Sequence, residues 1–140
     1  MTRPVDAIRA LLFAKVVANR RVKTLRDALH EFAHVAELCG RLKDKSYLLL
    51  SNLVVTQALR VLKDEGEESS EIYNLKGLLL MQDDNQVDAL KAFKKAVEVE
   101  PQHVDANLNI AFIAIRFRDF DTAAKSLNLA KKLCLSIQQM

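Results

Sequence analysis

The C-terminal half of the sequence repeats itself at an interval of about 34 residues, and this periodicity constrains the fold more than any other feature. When the chain is shifted by that interval, small residues coincide at three pairs of positions: Gly77 with Ala111, Ala89 with Ala123, and Ala96 with Ala130. A large apolar position coincides as well, since Phe93 falls on Leu127. Small residues let two helices approach closely, and a large residue fills the wedge between neighbouring pairs. The interval therefore favours stacked pairs of antiparallel helices.

Helix breakers are rare in the chain. Its 140 residues include 3 Gly and 2 Pro, too few for a many-stranded sandwich or barrel, so we expect an all-α protein. Apolar residues that recur at intervals of three and four predict seven helices, at about 5–20, 25–40, 46–62, 70–82, 86–99, 104–117 and 121–136. On the third of these, the residues predicted to be buried are Leu49, Leu50, Leu53, Val54, Ala58 and Leu62.

Residues 70–103 resemble the tetratricopeptide repeat (TPR) family, whose helix–turn–helix unit is about 34 residues long. The positions of the family's pattern are occupied here by Tyr73, Lys76, Gly77, Leu80, Ala89, Phe93, Ala96 and Pro101. Three of these residues depart from the family's usual ones: Tyr73 stands in place of Trp, Lys76 in place of Leu and Leu80 in place of Tyr. Residues 104–137 follow in the same register, with Leu135 in place of the closing proline. The resemblance implies a TPR-like α-solenoid of antiparallel helix pairs with an extra N-terminal helix.

A degenerate third unit is predicted at 32–65. Cys39, Ser51 and Ala58 have the same mutual spacings as the small residues of the later units, and Val55 occupies the large position. Stacked repeats bury their faces only against neighbours, so about three units are needed for stability. We therefore predict one helical repeat domain over 1–140, which begins with an N-terminal helical segment at 5–31.

The first predicted helix, Val5 to Arg20, is apolar on two sides, which predicts two packing partners. Its basic character also allows a second interpretation, a mitochondrial targeting helix, because positions 1–26 carry many basic side chains and a single acidic one, Asp6. A targeting helix normally has a single apolar face, so we favour a helix buried within its own domain, where it either packs internally or covers the groove of the repeats.

One motif in the sequence is typical of an enzyme active site. His30-Glu31-Phe32-Ala33-His34 is a complete HExxH sequence, the spacing with which zinc metallopeptidases place two imidazoles one helical turn apart. At about 100° per residue, however, His30 and His34 fall opposite the apolar stripe of their helix, on a face expected to be solvated. A third protein ligand is also required, for which Glu67, Glu68 and Glu71 are the candidates. A small zinc metallopeptidase is thus the alternative to a non-enzymatic protein without metal or cofactor.

In TPR proteins the first helix of each pair lines a concave groove that binds peptides. Carried over to this chain, the resemblance implies a peptide-binding set consisting of Asn74, Leu75, Leu78, Met81, Leu108, Asn109, Phe112, Ile115 and Arg116. Most of these are apolar, which favours a hydrophobic peptide or an amphipathic helix as the ligand. The leading hypothesis is therefore a protein-interaction adaptor or scaffold that binds a protein or peptide partner.

Net charge, hydropathy and cysteine content indicate which partners and which cellular compartment to expect. A net charge of +3 is too small to indicate nucleic acid, and charged residues interrupt the best apolar run, so no membrane span is expected. The two cysteines, Cys39 and Cys134, are predicted to be reduced core residues of a cytoplasmic protein. Leu129, Leu133 and Ile137 share one side of the last helix, and this apolar strip predicts either a homodimer or a fragment of a longer array.

Overall fold

The computed structural model of the chain describes residues 25–42 and 44–138, which form helices and no strand. In chain order the helices are α1 (Leu25–Gly40), α2 (Lys45–Asp64), α3 (Ser70–Gln82), α4 (Gln86–Val99), α5 (Val104–Arg116) and α6 (Phe120–Gln138). Each end lies close to its predicted position, and the all-α prediction is confirmed for this part of the chain. The predicted helix over 5–20 lies outside the described residues.

The turns reproduce the repeat interval in their hydrogen bonds. Ser69 and His103 each precede a helix, and the side chain of each accepts a hydrogen bond from the backbone N–H three residues later. Asp84 and Arg118 both adopt the left-handed conformation, with φ of 56° and 60°. The residue after each of these donates its backbone N–H to the carbonyl five residues earlier, which closes the preceding helix. The periodicity of the sequence is therefore a periodicity of local structure.

Two clusters of buried side chains hold the helices together. The first joins α1, α2 and α3 and contains Leu29, Ala33, Ala36, Leu48, Val55, Ala58, Leu62, Ile72, Leu75 and Leu79. The second joins α4 and α5 and contains Ala89, Phe93, Ile110 and Ile113. Leu78 packs against both clusters, so α3 connects the two halves of the core.

The predicted apolar stripe of α2 is confirmed at Ala58 and Leu62, which are buried, and is wrong at Leu49 and Leu53. Leu49 and Leu53 are exposed by 63% and 50%, whereas Leu48, Ser51 and Val55 are buried in their place. Three consecutive leucines at 48–50 leave the phase of the helix undetermined by hydrophobicity alone. The small residues determine which side of α2 is buried. Gly40 of α1 lies close enough to Ser51 that a Cβ atom built on Gly40 would be 3.5 Å from the Ser51 Cβ.

Each described helix packs against the next in the chain, and α1 also packs against α3. The connections after α1, α3 and α5 are short, so consecutive helices fold back on each other. The finer expectation of a TPR-like solenoid stays a prediction. Among the helices at 25–42 and 44–138, none is both long enough and apolar enough to cross a membrane.

The two cysteines differ in their surroundings. Cys39 in α1 is half-buried, while Cys134 in α6 is exposed, and both are free thiols. The prediction that Cys134 belongs to the core is wrong, because it lies on a side of α6 that no other described helix covers.

Candidate functional site

An open cleft of about 780 Å³ lies between α1, α3 and the start of α5. Helix α1 supplies six of its lining side chains, Arg26, Asp27, His30, Glu31, His34 and Glu37, and Arg41 follows directly after the helix. Residues 69–78 supply the facing wall, and Glu100, His103 and Asp105 close one end. All three histidines of the chain therefore lie in this cleft.

The two histidines of the HExxH sequence contact Glu71 across the cleft. The Nε2 atom of His34 is hydrogen-bonded to Glu71 Oε1, and His30 Nε2 lies 3.6 Å from Glu71 Oε2. The expectation that both imidazoles face solvent is confirmed for His34, whose side chain is 47% exposed, and wrong for His30, because α3 packs beside α1 and turns the polar face of α1 into the wall of a cleft. The side chain of His30 is only 17% exposed.

A hydrogen-bonded chain fixes the orientation of His30. Its Nδ1 atom lies 2.7 Å from the carbonyl oxygen of Arg26, and its Nε2 atom lies 2.7 Å from Ser69 Oγ. Since a carbonyl only accepts, Nδ1 carries the proton, and in the neutral ring Nε2 accepts from the Ser69 hydroxyl. Ser69 Oγ in turn accepts from the backbone N–H of Ile72 at the start of α3. His30 thereby ties α1 to the N-terminus of α3.

His30, His34 and Glu71 are the residue types of a His₂Glu zinc site. Within the described ranges, however, no group of three or more His, Cys, Asp or Glu side chains is placed to hold a metal ion. The contacts give the physical reason: Glu71 bonds His34 Nε2 directly, and His30 Nε2 is occupied by Ser69. The arrangement is a hydrogen-bonded cluster that joins two helices.

The cleft is acidic. Six carboxylates line it, from Asp27, Glu31, Glu37, Glu71, Glu100 and Asp105, against the guanidinium groups of Arg26 and Arg41. The buried carboxylate of Glu37 accepts from Arg41 Nε at 2.8 Å and from Gln82 Nε2 at 3.3 Å. The bond to Glu37 raises the pKa of the Arg41 guanidinium. Glu100 accepts from the hydroxyl of Ser70 at 2.7 Å.

The predicted peptide-binding residues separate into two groups. Asn74, Leu75 and Leu78 line the cleft, the first two buried and the third half-buried. The others lie outside its walls: Met81 and Asn109 are half-buried, and Leu108, Phe112, Ile115 and Arg116 are exposed.

Some of these side chains contact one another. Asn109 Nδ2 donates to Asn74 Oδ1 at 2.9 Å, so these two amides connect α5 to α3. The guanidinium of Arg116 lies over the ring of Phe112, 4.8 Å from its centroid. The two asparagines therefore contribute to helix packing, while Phe112 presents an exposed ring with a cation beside it.

Sequence reasoning named His30 and His34 only as candidate metal ligands, and it missed the cleft that the polar face of α1 lines. Asp27, His30, Glu31, His34 and Glu37 form a polar stripe with helical spacing, which indicates a solvated face when the helix is considered alone. The available signal for a cleft was the predicted unit at 32–65, because it would make α1 the counterpart of the first helices of the later pairs.

The sequence matches no protein-family model, and no curated protein matches it either.

Proposed function

We propose that this chain is a non-enzymatic, TPR-like adaptor that binds a peptide or helix of a protein partner along α1, α3 and α5. The repeat interval supports this assignment, because it extends from small residues to helix caps and left-handed turns. The order of helix contacts, each helix with the next and α1 with α3, is also what stacked helix pairs would produce.

The observation that carries the proposal is the exposed apolar row on α5. Leu108, Phe112 and Ile115 are exposed by 43%, 47% and 48%, and they follow each other at intervals of four and three on one side of the helix. An apolar row of this kind beside a cleft is a typical docking surface for a hydrophobic or amphipathic peptide. It lies on the helix that also contributes Asp105 to the cleft.

The test is affinity capture with the purified chain, followed by mass spectrometry. We expect Phe112→Glu to lose a partner that the unaltered chain retains, since a carboxylate cannot be buried against an apolar ligand without a large desolvation cost. Leu49→Glu is the matched control, because Leu49 is also an exposed apolar residue but lies on α2. Equal capture by both variants would contradict the proposal.

Leu78→Glu is a poor test of the groove, contrary to the simple expectation for a groove-facing residue. Leu78 packs against both core clusters, so a buried charge there should unfold the chain. Helical content measured by circular dichroism will separate the two effects: Phe112→Glu should retain it and Leu78→Glu should lose it.

A further inference from the structure

We infer that the segment bound by this surface is basic as well as apolar: an amphipathic peptide whose Lys or Arg side chains contact the cleft carboxylates while its apolar side chains cover α5. This inference rests on the proposed function and specifies the chemistry of its ligand.

Negative charge is concentrated in the cleft although the chain as a whole is basic. The six carboxylates and two guanidinium groups of its lining give a charge of −4 with neutral histidines, in a chain whose net charge is +3. A concave surface of one sign attracts ligands of the opposite sign and raises their association rate. The excess of carboxylates therefore selects a cationic ligand.

The basic residues of the cleft are already paired. Arg41 bonds Glu37, and Arg26 lies 3.5 Å from Glu67 and donates to the carbonyl oxygen of Glu68, both outside the cleft lining. Glu31 and Asp105, at two places along the cleft, make no hydrogen bond or ion pair with any described residue. No described residue therefore competes with a bound cation for these two carboxylates.

The acidic and apolar surfaces meet on α5. Asp105 lies in the first turn of that helix, and Leu108 and Phe112 follow it at intervals of three and four residues. Between them, Asn109 bonds Asn74 of the cleft wall, which fixes the position of α5 relative to α3. One peptide that runs along α5 and into the cleft would thus meet apolar side chains first and carboxylates next, so a single ligand needs both chemistries.

The test uses three fluorescein-labelled peptides in the same amphipathic helical order, each long enough for about four helical turns. Their compositions are leucine with lysine, leucine with glutamine, and leucine with glutamate. Binding to the full chain is followed by fluorescence anisotropy. We expect the Leu/Lys peptide to bind most tightly and the Leu/Glu peptide not to bind. The affinity for the Leu/Lys peptide should fall as salt is added, because exposed ion pairs are screened.

Two double variants test whether the Leu/Lys peptide binds in the cleft. Glu31→Gln/Asp105→Asn should weaken binding of the Leu/Lys peptide by about two- to twenty-five-fold, since each exposed ion pair contributes roughly 1.5- to 5-fold in affinity. The control Glu65→Gln/Asp83→Asn removes two exposed carboxylates outside the cleft and should leave the affinity unchanged. Neither double variant should alter the affinity for the Leu/Gln peptide.

Equal affinity for the Leu/Lys and Leu/Gln peptides, lost in Phe112→Glu, would overturn the basic ligand and leave the adaptor proposal standing. Equal weakening by the cleft variant and its control would also overturn the inference, since binding would then follow net charge alone. Failure of all three peptides would overturn it together with the expectation of an accessible groove, including the case in which the basic N-terminal segment of the chain occupies the cleft.

Discussion

Gly77 of α3 lies directly against the ring of Phe93 of α4. A Cβ atom built on Gly77 would be 2.7 Å from Cζ of Phe93 and closer still to two other ring carbons, far inside any contact distance. Both residues are buried, and the ring of Phe93 is not exposed at all. The absence of a side chain at Gly77 is therefore what lets α3 and α4 approach with a phenyl ring between them.

We expect Gly77→Ala to lower the free energy of unfolding by about 1–3 kcal/mol, because the added methyl group forces the ring of Phe93 out of place. Urea denaturation followed by circular dichroism measures this loss. The following unit suggests the compensating change, since it carries Ala111 and Leu127 at the same two positions. Gly77→Ala/Phe93→Leu should therefore be more stable than the sum of the two single changes predicts. Strict additivity would contradict the close contact.

Asn74 and Asn109 supply a second test of the core. Asn74 is 5% exposed, and its Oδ1 accepts from Asn109 Nδ2 at 2.9 Å. Asn109→Ala leaves this buried oxygen without its donor, which should cost about 1–3 kcal/mol of stability. The double variant Asn74→Leu/Asn109→Ala should recover part of that loss, because it removes the unsatisfied group. If Asn109→Ala unfolds at the same urea concentration as the unaltered chain, the hydrogen bond does not hold α5 against α3.

The fold could be predicted from the sequence at positions where the residue pattern allowed a single interpretation. The helix ends are set by residues whose chemistry is local, such as Ser69 and Asp119 before helices and the left-handed Asp84 after one. The phase of α2 could not be deduced in this way, because leucine occupies 48, 49 and 50. Its burial depends on where α1 and α3 contact it, which is a property of the whole structure.

The candidate site was less accessible to sequence reasoning than the fold. The polar face of α1 was correctly located on the helix, and its partner Glu71, 37 residues after His34, was named only as one of three candidate metal ligands. Considered alone, the polar face of α1 and the facing side of α3 each appear solvated. They form a cleft only because α1 packs beside α3. Apolar positions such as Phe112 were identified through the family resemblance, whereas the acidic wall depends on tertiary structure.

The metal alternative has a direct measurement. We expect no stoichiometric zinc by elemental analysis of the purified chain and no peptidase activity, because Glu71 and Ser69 already occupy the imidazole nitrogens that would bind the metal. His34→Ala should consequently change the packing of α1 on α3, seen as lower stability, without the loss of any bound ion. One tightly held zinc per chain, lost together with an activity in Glu31→Gln or His34→Ala, would establish the metallopeptidase instead.

Asp119 gives the pH dependence of the last helix. Its carboxylate accepts from the hydroxyl of Thr122 at 2.6 Å and from the Thr122 backbone N–H at 3.3 Å, and these bonds lower the pKa of Asp119 below its usual value. A carboxyl group with a lowered pKa in the folded state stabilises the fold above its unfolded pKa and loses this effect as the pH falls through its folded pKa. Thr122→Val should therefore lower the melting temperature at neutral pH and have a smaller effect in acid, where the carboxyl group is protonated. Thr122→Ser, which keeps the hydroxyl, is the control, and a loss for Thr122→Val that is the same at both pH values would contradict this origin.

The exposed side of α6 predicts self-association. Leu129 and Ile137 are exposed by 38% and 61%, and Leu133 between them is half-buried, so apolar side chains recur at intervals of four on one side of the helix. Leu127 is 43% exposed, although the equivalent Phe93 in the preceding unit is fully buried against its neighbours. An uncovered strip of this length is characteristic of an interface, and a twofold dimer is the simplest closed arrangement that covers it.

We expect light scattering to show a homodimer, and we expect Leu133→Glu to shift it to monomer, since the interface would then bury a carboxylate. Leu49→Glu, with the same charge on the distant α2, should remain dimeric. A monomer at high micromolar concentration would rule out the dimer and leave the strip to a different partner.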